Sequence, residues 1–134
     1  MVRVGFIINF KPSRWLGGYN YYKNLFQCLD NFPEKKIKPV IITDKPNDYK
    51  NDEIISKLEI IKTNLVSRSN IYLKVINKIL IIIFGRNFFF DKFLQKNNIL
   101  VLSHSGWIGN RSKVLNFPWI PDFQELHNPK NFDF

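Results

Sequence analysis

The chain opens with Val2-Arg3-Val4-Gly5-Phe6-Ile7-Ile8-Asn9, an apolar run interrupted only by Arg3. Nearly continuous apolar segments of this kind predict a strand buried on both faces, as parallel strands are. A loop over Phe10 to Leu16 carries Pro12, and the period then changes. Between Gly18 and Asn31 the apolar positions Tyr22, Leu25, Phe26 and Leu29 follow helical spacing, and Pro33 stops the segment. Pro39-Val40-Ile41-Ile42-Thr43 predicts a second strand, closed by the turn chemistry of Asp44-Lys45-Pro46-Asn47. A short helix from Asp52 to Lys57 precedes a third strand from Leu58 to Lys62.

The stretch from Ser69 to Phe84 predicts a longer helix. Tyr72, Ile76, Ile79, Leu80 and Ile83 form one apolar stripe, expected to pack in the core, with Lys74, Asn77 and Lys78 on the opposite face and Gly85 as C-cap. Phe88 to Lys96 predicts another helix, Ile99 to Ser103 a fourth strand and Pro118 to Ile120 a fifth. Strands alternating with helices define an α/β fold: a Rossmann-like open, mostly parallel sheet of about five strands with helices on both faces, residues 1–134 forming one domain. A second reading of residues 71–90 is a membrane-surface helix pair, because the stripe is wide and Lys74, Lys78, Arg86 and Lys92 flank it.

Composition narrows the classes. With 45% hydrophobic and 23% charged residues in 134, the chain is globular rather than disordered. Twenty Lys and Arg against eleven Asp and Glu give a formal charge of +9, which favours anionic partners such as phosphates or an acidic membrane surface. Nucleic acid has only the charge in its favour, since no binding motif accompanies it. The single cysteine, Cys28, excludes an intramolecular disulfide and reads as a packing residue of the first helix. Val2 to Asn9 is too short for a signal peptide core, and Ile79 to Phe84 is far too short to cross a bilayer. A cytoplasmic chain, peripheral at the inner face of the membrane, is the expectation.

In open parallel sheets ligands bind beyond the carboxyl ends of the strands. Four segments arrive there: Asn9 to Gly18, Thr43 to Pro46, Ser103 to Gly109 and Pro121 to His127. Gly17-Gly18 lets backbone approach a ligand at a helix N-terminus, or simply makes a tight turn; it is no G-x-G-x-x-G fingerprint. Asp44 mimics a ribose-binding acid, although a turn-forming role before Lys-Pro is simpler. His104 ends strand four, where it can serve as general base or hydrogen-bond a substrate, or cap its own loop. Asp122 follows strand five, as a carboxylate for sugar hydroxyls or as a helix cap. No G-x-S-x-G elbow supports a serine hydrolase, and His104, His127 and Cys28 have no metal-ligand spacing.

The segments Val4-Gly5-Phe6-Ile7-Ile8 and Trp15-Leu16-Gly17-Gly18-Tyr19-Asn20-Tyr21-Tyr22, with Leu102-Ser103-His104-Ser105-Gly106 and Trp119-Ile120-Pro121-Asp122-Phe123-Gln124-Glu125-Leu126-His127-Asn128-Pro129, resemble the N-terminal domain of group 1 bacterial glycosyltransferases of the two-domain GT-B type. Glu125 stands where that family has a histidine, and Lys130 where it has an acid. The resemblance implies the acceptor-side part of a retaining transferase that uses a nucleotide sugar as donor, without a metal or other cofactor, in polysaccharide or lipopolysaccharide synthesis. By it, Gly17 and Gly18 approach the donor phosphates, Asp122 sits at the catalytic cleft, and Asn20, His104 and His127 lie nearby. A sugar or lipid-linked acceptor is the implied partner. The family's donor-binding domain follows this one, so a separately encoded C-terminal domain is a further implied partner, and the chain alone is not expected to transfer sugar. The alternative is a non-catalytic membrane- or partner-binding module derived from the same fold.

Overall fold

The computed structural model describes residues 1–67 and 69–119. Its frame is a five-stranded sheet, β1 (Val2–Ile7), β2 (Ile37–Thr43), β3 (Glu59–Lys62), β4 (Val101–Ser105) and β5 (Leu115–Pro118), in spatial order β3-β2-β1-β4-β5. Every neighbouring pair is parallel. Three α-helices accompany it: α1 (Leu16–Asn31), α2 (Ile71–Phe84) and α3 (Phe88–Lys96). The order reverses at β1, whose two neighbours, β2 and β4, leave on opposite sides. The result is the Rossmann-like α/β architecture that the alternating pattern predicts.

Alternation along β1 divides the core. Val4, Phe6 and Ile8 point to the α1 face, where they join Tyr22 and Phe26 of the helix, Ile41, Tyr49 and Ile55. On the other face Val40, Ile42 and Leu102 meet Phe90 and Leu94 of α3. A Cβ at Gly5 would stand 2.9–3.0 Å from Leu102, Ile42 and Ile99, so the missing side chain lets the second layer close onto the sheet. Pro39 sits in β2 opposite Val4, one residue before the pairing with β3 begins, so its absent N–H breaks no ladder there.

Several boundaries differ from the sequence pattern, most by a residue or two, and three of the differences have a local cause. Strand β4 starts at Val101 rather than Ile99 because Asn98 takes a left-handed conformation (φ 55°) and the Ile99 N–H closes back on the Leu94 carbonyl at 2.9 Å. Asn98 and Ile99 form the turn that follows α3, which ends at Lys96. Strand β5 is Leu115–Pro118, earlier than Pro118 to Ile120; it is an edge strand whose Leu115 and Phe117 are exposed, so no apolar run marks it. The segment from Asp52 to Lys57 forms a single 3-10 turn at Ile55–Lys57, not a helix; the Asp52 carboxylate accepts from Ile54 N at 2.9 Å and Ile55 N at 2.7 Å and caps it. Cys28 is exposed on α1, not packed, since the buried side of that helix is Gly18, Tyr22 and Phe26.

The largest correction concerns α2. Gly85 does cap it in a left-handed conformation (φ 71°), but none of its residues is buried. Tyr72, Ile76, Ile79 and Ile83 of the predicted core stripe are exposed, and the side turned inward is Leu73, Asn77, Leu80 and Ile81, with Asn77 accepting from Asn87 Nδ2 at 2.6 Å. The crossover from β3 to β4 contains two helices, and Phe90 and Leu94 of α3 already cover the sheet. Helix α2 is left outside that layer.

At the amino end of the sheet, Arg3 reaches from β1 across β2 to Glu59 of β3 through two hydrogen bonds of 2.7 and 2.6 Å, and its Nε donates to the Asn97 carbonyl at 3.0 Å. Lys38 adds a 2.9 Å ion pair to the same carboxylate. The hydrogen bonds from Arg3, then Lys38, hold the Glu59 carboxyl down at about 2. A depressed carboxyl contributes stability above its ordinary value of about 4.3, and that stability is lost as pH falls toward about 2. The group is about one-third exposed, so Glu59→Gln should cost only on the order of 1 kcal/mol near neutral pH, and should flatten the acid limb of a urea-denaturation profile. An unchanged profile would show that the clamp contributes nothing.

Candidate functional site

The carboxyl edge of the sheet at the β1–β4 reversal gathers the loop after β1, the first turns of α1 and the end of β4. The loop is held from below. The buried Tyr49 hydroxyl donates to the Phe10 carbonyl, and Asn9 Nδ2 donates to the Val66 carbonyl at 2.7 Å. Burial raises the Tyr49 phenol above its ordinary value, so it remains a donor at any physiological pH.

Two clefts adjoin at Asn9. The first, about 540 Å³, is lined by Asn9, Phe10, Lys11, Arg14, Trp15, Lys45 and Ser69 and brings three cationic side chains together. It lies beside the N-terminus of α1, where Trp15 gives no side-chain cap and the first helical bond is Tyr19 N to Trp15 O at 3.0 Å. The amides of Leu16, Gly17 and Gly18 therefore have no partner within the helix. The second cleft, about 280 Å³, lies on the α3 side and is lined among others by Asn77, Ile81, Asn87, His104, Ser105 and Trp107.

The two glycines of the turn differ. A Cβ at Gly17 meets nothing within 4 Å, whereas one at Gly18 would overlap the Trp15 indole. Packing of Trp15 thus accounts for Gly18, while Gly17 is exposed beside open space. Asn20 is exposed on the first turn of α1.

His104 is where strain and polarity meet. It has φ 56° and lies at the register shift between Ser103 and Ser105 in the β4–β5 pairing. A non-glycine residue in that region costs free energy, and histidine tolerates it better than branched residues. Its Nδ1 lies 2.7 Å from Ser103 Oγ and its Nε2 2.9 Å from the Tyr21 hydroxyl. Phe6, Tyr21, Tyr22 and Trp119 ring it with centroids 5.0–5.8 Å away, and Tyr21 stacks on Trp119 at 4.5 Å. Burial lowers the imidazole below its ordinary value. A neutral ring donates from one nitrogen and accepts at the other, which suits two hydroxyl neighbours. The arrangement fixes the hydroxyl of the exposed Tyr21 against the His104 ring.

The structure therefore brings Gly17, Gly18, Asn20 and His104 to one edge. Asp122 and His127, with the whole segment Pro121 to His127, lie outside the described residues. Asp44 is half-buried and does not form the turn expected of it: Lys45 N bonds to Thr43 Oγ1 at 3.1 Å, and Asp44 Oδ1 is buried without a hydrogen-bond partner among the described residues. Sequence reasoning missed Tyr21, and it missed the cations Lys11, Arg14 and Lys45. Lys11 and Arg14 were detectable as positive charges just ahead of the glycine turn. Tyr21 was not, because its role depends on a histidine 83 residues away. No family model, curated protein or solved structure matches the chain.

The lowered imidazole has a definite sign. Below its ordinary value of about 6.5 the unfolded chain binds a proton that the folded chain resists, so stability falls as pH drops through that value. NMR titration of the two histidines, assigned with His104→Gln, should place His104 below about 6.5, and the variant should lose that part of the pH-dependence of melting. A midpoint at or above the ordinary value would contradict a half-buried, neutral ring.

Proposed function

We propose that this chain is the acceptor-side α/β domain of a retaining glycosyltransferase that draws a sugar from a nucleotide sugar for cell-surface polysaccharide or lipopolysaccharide synthesis. The observation that supports the reading most is the cationic cleft with a tryptophan wall at the strand-order reversal. A sugar diphosphate needs positive charge and backbone N–H groups for its phosphates and an aromatic face for its ring. Lys11, Arg14 and Lys45, the amides before Tyr19, and Trp15 supply these at one place. As the sugar leaves the diphosphate, negative charge grows on the phosphate oxygens, and groups already aimed there stabilise it without reorganising.

The second cleft suits the acceptor. Asn9, Asn77, Asn87 and Ser105 offer hydroxyl-matched hydrogen bonding, and Trp107, with 64% of its surface exposed, stands at the rim. In this reading Asp122 supplies the carboxylate of the cleft, His127 accompanies it, and Gly17 and Asn20 border the donor. His104, which lines the second cleft, borders the acceptor, and Tyr21 holds its ring. A cytoplasmic location follows from the donor, since nucleotide sugars are made there.

The test is a 15N-resolved titration of the full chain with a set of nucleoside-diphosphate sugars. Signals of Lys11, Arg14, Gly17, Gly18 and the Trp15 indole should move, with a dissociation constant on the order of millimolar. The double change Lys11→Gln and Arg14→Gln should weaken that binding about tenfold, as expected for lost charge-assisted bonds to phosphate. Shifts confined to the amino end of the sheet, or none at saturating donor, would remove the reading.

A further inference from the structure

We propose that the outward face of α2, continued by Phe88 and Phe89 at the start of α3, is the surface on which this chain docks to an anionic lipid bilayer. The proposal does not depend on the glycosyltransferase reading. Ile71, Tyr72, Val75, Ile76, Ile79, Ile82 and Ile83 are all exposed, by 46–78% of their surface. At 3.6 residues per turn they fall on one continuous arc, opposite the inward Leu73, Asn77, Leu80 and Ile81. Aromatic residues stand at both ends of the patch, Tyr72 at its start and Phe88 and Phe89 beyond its finish, the places where rings sit best at a membrane–water boundary. A contiguous apolar patch of this extent is a binding surface rather than scattered exposure.

Charge decides the occupant. Lys74 and Lys78 border one margin of the arc, Arg86 sits at the α2–α3 corner with its guanidinium 4.3 Å from the Phe88 ring, and Lys92 is exposed on α3. Between residues 69 and 96 the sequence holds one acid, Asp91, and it is buried, accepting from Ser112 Oγ at 2.7 Å and Lys113 N at 3.3 Å. Nothing acidic on these helices offsets the cations. Two copies meeting face to face would set like charges against each other, whereas anionic headgroups complement them and the acyl boundary takes the isoleucines. No helix among the described residues is long and apolar enough to cross a membrane, so α2 lies in the interface plane. Its inward side, Asn77 and Ile81, lines the second cleft together with Trp107, so that cleft lies behind the docked helix.

The experiment is co-sedimentation of the full chain with vesicles of phosphatidylcholine alone and of phosphatidylcholine with about one-third phosphatidylglycerol. Binding should be confined to the anionic vesicles and should fall about tenfold between low salt and roughly 0.5 M salt. The pair Ile79→Glu and Ile83→Glu, and separately Lys74→Glu and Lys78→Glu, should each reduce binding at least about tenfold with unchanged circular dichroism. The pair Leu115→Glu and Phe117→Glu, on the exposed β5 edge, should leave it intact. Equal binding to both vesicle types overturns the proposal, as does equal loss in the β5 pair. So does a chain that ignores vesicles and forms a dimer that the Ile79/Ile83 pair dissolves, since the face would then belong to a second copy.

Discussion

Strand β1 must satisfy its backbone on both edges and cover its side chains on both faces, and the remaining structure follows from how that is done. A parallel strand cannot return to its neighbour by a tight turn, so each neighbour of β1 requires a crossover. The chain leaves β1 through α1 to β2 on one side and comes back through α2 and α3 to β4 on the other. Two helical layers are thereby fixed, one on Val4, Phe6 and Ile8, the other over Gly5 and its neighbours Ile42 and Leu102. The crevice between the diverging connections is a consequence of the same topology, and it is where the polar and cationic loops meet.

The two layers are unlike in character. Under α1 the packing is aromatic, with Phe6 edge-on to Phe26 at 5.2 Å and a cluster of rings reaching Trp15, Tyr21 and Trp119 at the site. Rings fix one another by geometry as well as area, so this layer holds His104 and Tyr21 in place. Under α3 the packing is mainly aliphatic, and the buried Asp91 ties the helix to the segment before β5. Asp52 does the equivalent for α1: burial opposes its charge, but hydrogen bonds from Ile55 N, Tyr19 and Ile54 N, with Lys23 beside it, outweigh that cost and keep its carboxyl below the ordinary value. Burial, then Asp52, pushes the Tyr19 phenol up to about 12. Both acids spend their charge on connecting a helix to a loop, which leaves the site itself dominated by cations.

Ser69, just ahead of α2, lines the cationic cleft, while Asn77 and Ile81 on the inward side of α2 line the second cleft. The cationic cleft and the exposed apolar face of α2 both belong to this one domain, while further basic residues, Lys35, Lys36 and Lys38 among them, lie at the amino end of the sheet.

The sequence by itself determined the elements and the class of fold. Val2 to Asn9, Pro39 to Thr43 and the helical spacing of Tyr22, Leu25, Phe26 and Leu29 carry their periods openly, because a strand buried on two faces and a helix buried on one impose unmistakable patterns. The carboxyl edge of the sheet, to which the glycine turn ahead of α1 and the end of β4 with His104 both come, was also legible, since strand ends follow from the same patterns. Edge strand β5 was misplaced, because its Leu115 and Phe117 side chains face solvent and nothing in Leu115-Asn116-Phe117 distinguishes it from a loop. Only the tertiary structure decided which way α2 faces. An apolar stripe states that a surface must be covered and is silent about what covers it, and here α3 had already taken the sheet. Tertiary structure likewise decided that Lys11, Arg14 and Lys45 share one cleft and that Tyr21 meets His104, because such encounters depend on the strand order and on no local property of the chain.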